Sequence, residues 1–538
     1  MFAALLLLGC APEREAVPPK PQPIDDFRLV DQHGVSHGLG YYAADGQVTL
    51  VGWSPECELA WPAEGIVFGL DPTGTPREDI DEVSPVLQDD TGTIATSLTI
   101  ERAGDVVVFD MDEWTWLRVA RGPEECAYDL DAAPVTLSQA AEVIDDHCMD
   151  CHHGEARIPL FATYQAFYGW SAMIRSTIRT HRMPPGGHDA YYSQVEGGAS
   201  AEDLALLVRY IDARLPRANE EPDPFPELSA AAATPRVWPE ADHVFSMTEV
   251  HELPAKGPDE YRYAQISEPL AEDLWVESIR LTLNKDVTHH VNLVAIDRPL
   301  EQEVFLKKGT TDMLRLRKGK RRDDHGIHPD AEDPDLHWIE HMLEERIVMT
   351  YGRSKRTLEF EDGRAMKIPA GSMLALEIHY GLTGKPETNH VEVFITEAEP
   401  GAVEVKRANL YRDEFEIPAH AEDHVIRTGL NVPEEITLLE FVPHMHRRGK
   451  SARYSAIYPD GTEEVLLSVP FFQYKFQPHW RLETPKTIPA GTRLMTEMTY
   501  DNSERNPINP DPEVAVYNGS KRIEEMHLPR FYYVEGRP

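Results

Sequence analysis

From residue 241 onward the chain is written in period two. Runs such as LWVESIRLTL, SMLALEIHYG, HVEVFITEA, ITLLEFVPHMH, SARYSAIYP and RLMTEMTYD alternate apolar and polar residues, and Gly, Pro, Asp and Asn separate them. Short alternating runs closed by turn residues fold as antiparallel sheets. About 300 residues of this pattern are too many for one sandwich of ordinary size. A break in TEAEPGAVE near residue 400 divides them into two β-sandwiches, 241–400 and 401–538. Within them only DLHWIEHMLEER reads as a helix.

Upstream the pattern changes twice. Residues 25–130 alternate short β-like runs (VTLVGWS, GIVFGLD, DVVVFDMD, WLRVAR) with loops. Residues 131–217 read as helices, with SQAAEVIDDHCMDC amphipathic and SAEDLALLVRYIDARL opening on an N-cap Ser. Residues 218–240 are rich in Pro and Ala and read as a linker. The chain of 538 residues therefore exceeds a single core. Its net charge of −40 argues against nucleic acid or an anionic membrane surface as a partner.

There are five cysteines. Cys10 closes MFAALLLLGC, a short apolar run ending in Leu-Leu-Gly-Cys that resembles a bacterial lipoprotein signal. The run is too short to span a bilayer, and the polar, Pro-rich residues that follow suit a tether up to residue 24. The expected address is an exported lipoprotein of a Gram-negative bacterium, in the periplasm or at the outer membrane, touching membrane only through its lipid. Export implies an oxidising compartment, where Cys57 and Cys126 could pair as a disulfide or stand as two thiols. Cys148 and Cys151 precede His152 in HCMDCHHG, the C-x-x-C-H spacing of c-type haem attachment. Two thiols add across the haem vinyl groups and the adjacent imidazole binds iron. Met183 in HRMPPGG is the expected sixth ligand, with His181 the alternative.

The C-terminal runs carry their own ligands. His444 and His446 lie two apart at the end of an apolar strand, so both rings face one side. His289 and His290 are adjacent, and in a regular strand they would face opposite sides. Both can reach one metal only if the chain bulges there. His379 follows SMLALEI and completes a three-imidazole set, while Met526 in EEMHLP adds a thioether to the other pair. Imidazole suits copper in either oxidation state, and the Met sulfur favours Cu(I). The clusters His325/His328 and His337/His341 compete by spacing, and no third ligand follows either.

Four segments, THHVNL, IPAGSMLALEIHYG, VPHMHRRGK and GSKRIEEMHLPRFYY, stand in the order found in the type II, ascorbate-dependent copper monooxygenases. That family includes peptidylglycine α-hydroxylating monooxygenase and dopamine β-monooxygenase. The resemblance implies two packed jelly-roll-like β-sandwich domains with one copper each. His289, His290 and His379 would hold the electron-transfer copper, and His444, His446 and Met526 the copper that meets O2. YPDG, IPAGTRL and YDNSERNPINPDP resemble a bacterial branch, in which a redoxin-like domain and a c-type cytochrome domain precede the copper domains. Residues 25–130 themselves resemble a thioredoxin-like α/β domain, with VGWSPEC where its active-site turn would stand. Cys57 has no C-x-x-C partner there, so that domain reads as degenerate.

The implied reaction is hydroxylation of a C–H bond of a small-molecule or peptide substrate, using O2 and two electrons. The electrons would come through the fused haem, from an external donor, with ascorbate as a further reductant. No cysteine follows Cys151, so the disulfides of the animal enzymes are absent, and their substrate-binding residues have no counterpart. Two other readings stand beside this one. The first is a copper- and haem-binding protein for electron relay or metal capture, without hydroxylase activity. The second is a thiol-dependent redox protein centred on Cys57.

Overall fold

The structure is a computed structural model. It describes residues 22–297 and 347–536, less short breaks such as 58–65, 129–133, 154–158, 353–356 and 520–522, and the fragments 322–323 and 326–327. Cys10, His325, His328, His337, His341 and the segment DLHWIEHMLEER lie outside the described residues. The chain is mainly β and divides into two compact units, the first drawn mostly from residues up to 236 and the second from 237 onward.

The first unit opens with a mixed sheet of eight strands: β1 (Gln22–Pro23), β2 (Arg28–Asp31), β3 (Ser36–Gly38), β4 (Gln47–Gly52), β5 (Ile66–Asp71), β6 (Val86–Gln88), β7 (Val106–Asp110) and β8 (Thr115–Ala120). Their order is β1-β8-β7-β4-β5-β6-β2-β3. β4, β5 and β6 run parallel, and β7 and β8 return antiparallel on the far side of β4. The central strands read as unbroken apolar runs because both faces are covered, as parallel strands require. Val48, Leu50, Leu70, Val107 and Phe109 are all within 1% of full burial. A short helix, α1 (Thr93–Ser97), packs Ile94 and Ala95 into that core. The turn after β4 carries Cys57, whose sulfur lies 2.11 Å from that of Cys126 in a disulfide.

Four helices complete this unit: α2 (Leu137–Ile144), α3 (Tyr164–Arg179), α4 (Ala201–Asp212) and α5 (Phe225–Ala232). Their starts follow from local chemistry. Thr136 and Gln139 form a reciprocal capping box on α2, and Thr163 and Ser200 cap α3 and α4. α3 ends at Arg179, and His181 stands in the left-handed region at φ 50°. Pro184 and Pro185 follow and would break a continued helix. α5 falls inside the stretch read as a linker. A Pro in its first turn and a run of Ala start and sustain it, and Phe225 is fully buried against Phe167 at 5.2 Å between ring centres.

The first half of the second unit includes β9 (Glu260–Gln265), β10 (Leu274–Thr282), β11 (Thr288–Ile296), β12 (Ile347–Tyr351), β13 (Met373–Tyr380) and β14 (Glu392–Glu397). One sheet runs β9-β13-β11-β12, and a second is built on β10, with β14 on one side and Arg364–Ile368 on the other. Val276, Ile279, Val291, Leu293, Leu376 and Ile378 meet between them, each fully buried. The remainder contains β15 (Lys406–Asn409), β16 (His424–Asn431), β17 (Ile436–Val442), β18 (Gly449–Ile457), β19 (Glu463–Val469), β20 (Trp480–Ile488), β21 (Arg493–Tyr500) and β22 (Arg530–Glu535). These form two four-stranded sheets, β15-β22-β17-β20 and β16-β21-β18-β19. Among the described residues no helix is long and apolar enough to cross a membrane.

Two stability changes follow. The Cys57–Cys126 bond closes a loop with a sequence separation of 69. Cys57→Ser should destabilise the first unit by about 2–4 kcal/mol, seen as a lowered calorimetric transition that leaves the second unit's transition in place. Leu376, fully buried in β13, should cost about 3 kcal/mol when cut to Ala, read from the urea midpoint of the second unit.

Candidate metal centres

The register of β11 against β13 decides where the first three histidines go. His290 stands opposite His379, and the next pair is Thr288 with Tyr380, so the ladder skips His289. The extra residue is a β-bulge, which turns His289 to the side its neighbour faces. The His289 and His290 Nδ1 atoms then lie 3.2 Å apart. One ligand atom from each of His289, His290 and His379 fits within a 4.8 Å cluster. The ring centres are separated by 5.5, 4.9 and 5.0 Å. β9 places Tyr261 opposite His379, and their rings stack at 4.2 Å. His379 is buried and His289 exposed, so the cluster opens on one side. Burial, and then the neighbouring His379, His289 and His446, hold His290 well below the usual imidazole range. Three imidazoles at one point cannot all carry a proton, so the set offers neutral lone pairs.

The second centre lies where β17 runs out. His444 and His446 present their rings at 89°, with centres 5.3 Å apart. The side-chain amide of Gln477 donates to the carbonyls of Met445 (3.1 Å) and Tyr474 (2.9 Å). Its oxygen is thereby turned to accept from His444 Nδ1 at 2.7 Å. His446 Nδ1 donates to the Glu524 carbonyl at 3.0 Å. Each ring carries its proton on Nδ1 and its lone pair on Nε2, which fixes the tautomer a metal needs. Burial, and then His446 and Arg530, push His444 well below the usual imidazole range.

Met526 reaches this place on a segment laid against the histidines. The Leu528 amide donates to the His444 carbonyl at 3.3 Å, and the Glu525 carboxylate accepts from the amides of His446 (2.7 Å) and Arg448 (2.6 Å). Tyr500 donates its hydroxyl to the Met526 carbonyl at 2.9 Å. Met526 is 9% exposed. Protonation of His446 would disfavour protonation of His290, and protonation of His290 that of His444, in the same direction as their burial.

In the first unit, Cys148 follows α2 on a widened helical turn, Asp145–Met149, and Cys151 stands two residues beyond it. Burial, and then Cys151, push the Cys148 thiol up to about 12. His152 donates Nδ1–H to the Pro159 carbonyl at 2.6 Å, and its ring stacks on Phe161 at 4.5 Å. That bond puts its lone pair on Nε2 as well. Of the two residues weighed for the opposite side of a haem, Met183 is 38% exposed, whereas His181 is held to the Arg28 backbone with its pKa lowered to about 4 by burial.

Sequence reasoning named the ligand types and passed over what aims them. Gln477 lies in FFQYKFQPHW, which has no period. Arg448 and Glu525 were not singled out, yet both are fully buried. Their signal was two opposite charges beside the two halves of one ligand set.

No family model matches the chain, and no curated protein does. Among solved structures it is similar to the peroxidoxin BcpB of Mycobacterium tuberculosis, at 19% identity over 18% of this chain and 84% of that one, with a TM-score of 0.15. It is also similar to the major capsid protein P2 of bacteriophage PM2, at 8% identity over 55% of this chain and 98% of that one, with a TM-score of 0.22. Scores this low bear on neither fold nor function.

Proposed function

We propose that this chain is a copper-dependent monooxygenase of the type II, ascorbate-dependent class, hydroxylating a C–H bond with O2 and drawing electrons through a covalently attached haem. The observation that carries the reading is the bulge at His289, which sets two adjacent histidines and His379 around one point. An imidazole cluster built at that cost to a ladder serves a ligand rather than the sheet. The pair His444/His446, each with its lone pair on Nε2, stands beside the Met526 segment and gives the second donor set.

Copper bound at these sets supplies one-electron redox chemistry and, at the thioether site, activation of dioxygen. The residues do the rest. Gln477 and the Glu524 carbonyl hold the His444 and His446 rings in one tautomer. His289, exposed at the rim, is the side from which the three-imidazole site exchanges electrons with a donor. In the helical part, the Cys148 and Cys151 thiols fit thioether attachment of haem, and His152, oriented by Pro159, fits its axial position. Met183 would be the sixth ligand.

On this reading the mixed sheet of residues 25–130 is a degenerate redoxin-like domain, the helices after it a small cytochrome c domain, and the second unit two jelly-roll-like copper domains. The chain is an exported lipoprotein anchored at Cys10.

Protein matured in an oxidising host competent for cytochrome assembly should contain two coppers and one covalent haem per chain. Met526→Ala should keep the three-imidazole copper and lose oxygen reactivity. Zinc in place of copper, or a single copper indifferent to Met526, would overturn the reading. Gln477→Ala should weaken metal binding at the His444/His446 pair by roughly 10- to 100-fold, measured by competition with a copper chelator, with the other site unchanged.

A further inference from the structure

Two charged side chains sit fully buried where the two halves of the thioether centre meet. Glu525 spans the backbone amides of His446 and Arg448 with its two oxygens, at 2.7 and 2.6 Å. Arg448 answers across the same seam. Its Nη1 donates to the Ile523 carbonyl at 2.7 Å, its Nε to Asn502 Oδ1 at 2.6 Å, and its Nη2 to the Asp511 carbonyl at 3.3 Å. The segment before Met526 is therefore tied to the segment after His446 in both directions. One tie runs from a side chain at 525 to backbone at 446 and 448, the other from a side chain at 448 to backbone at 523.

Such a device answers a specific weakness. A thioether is a neutral, weakly held ligand on a side chain with three rotatable bonds. It contributes too little to order its own segment, so its position must be set before the metal arrives. The histidines have their own aiming bonds, while the segment that carries Met526 depends on the buried pair, the Leu528–His444 backbone bond and the Tyr500 hydroxyl. Both side chains are fully buried, so any of their polar atoms that lost its partner would be left unsatisfied.

We propose that Glu525 and Arg448 are positioning residues that lock the Met526 segment against His444 and His446 and so determine whether the sulfur reaches the metal. The proposal rests on the copper reading above. Its test uses the full chain loaded with copper and haem, and reads copper per chain, sulfur scattering in the copper X-ray absorption spectrum, and the reduction potential of each copper. The three-imidazole copper serves as the internal reference.

Glu525→Gln keeps the shape but offers a donor where an amide must be accepted. It should abolish the copper–sulfur signal and weaken Cu(I) binding at this site about tenfold or more, with the reference copper and its potential unmoved. Glu525→Asp, the milder change should the first fail to fold, should lengthen or halve that signal. Arg448→Lys should act like Glu525→Gln, because an ammonium cannot span three acceptors in one plane. A merely structural role would lower the melting temperature of these variants and leave the sulfur signal and potential as in the parent, and that result overturns the proposal. Absence of a copper–sulfur signal in the parent chain overturns the copper reading together with it, and is distinguished by appearing before any substitution is made.

Discussion

One pairing register governs this molecule's chemistry: β11 and β13 match at His290 and His379, then slip by one residue. A strand alternates its side chains, so a regular ladder would have sent His289 to the other face. The slip costs an unpaired residue in an otherwise apolar sheet whose neighbours Val291, Leu293, Leu376 and Ile378 are fully buried. Those neighbours hold the register on both sides of the defect. Moving it by one residue would turn a buried apolar set toward solvent, so the sheet's core is what keeps the histidines together.

A second regularity ties distant parts of the chain. His152, His444 and His446 each give the Nδ1 proton to an oxygen fixed by something else: a proline carbonyl, an amide whose own NH2 is doubly committed, and a backbone carbonyl. An imidazole left to itself exchanges tautomers and rotates. Anchored at one nitrogen, it becomes a directed donor at the other. The three-imidazole cluster is held differently, by stacking on Tyr261 and by mutual crowding.

How much of this was legible in the sequence varied with the range of the interaction. The period of the runs after 241, the cap at Ser200, and the pairing of His444 with His446 are local and could be read directly. The need for a bulge at THH followed from strand geometry, but which residue would be extra depended on β13, some 90 positions away. Gln477 reaches His444 across a separation of 33 residues from a stretch with no period. Arg448 and Glu525 were passed over because what holds them is not local: the Arg448 amide and the Glu525 carboxylate that accepts from it lie 77 residues apart. The linker reading of 218–240 missed α5 because Phe225 is helical for the sake of a core it joins from outside.

The placement of sulfur has a further consequence. The one disulfide among the described residues staples the first unit, and no cysteine follows Cys151 in the sequence. The unit with both histidine clusters contains no cysteine and so no disulfide. Electron donors strong enough to cleave cystine would unfasten a loop in the first unit and find nothing to cut in the second. The part of the chain proposed to hold copper is thus the part whose covalent framework is indifferent to reductant.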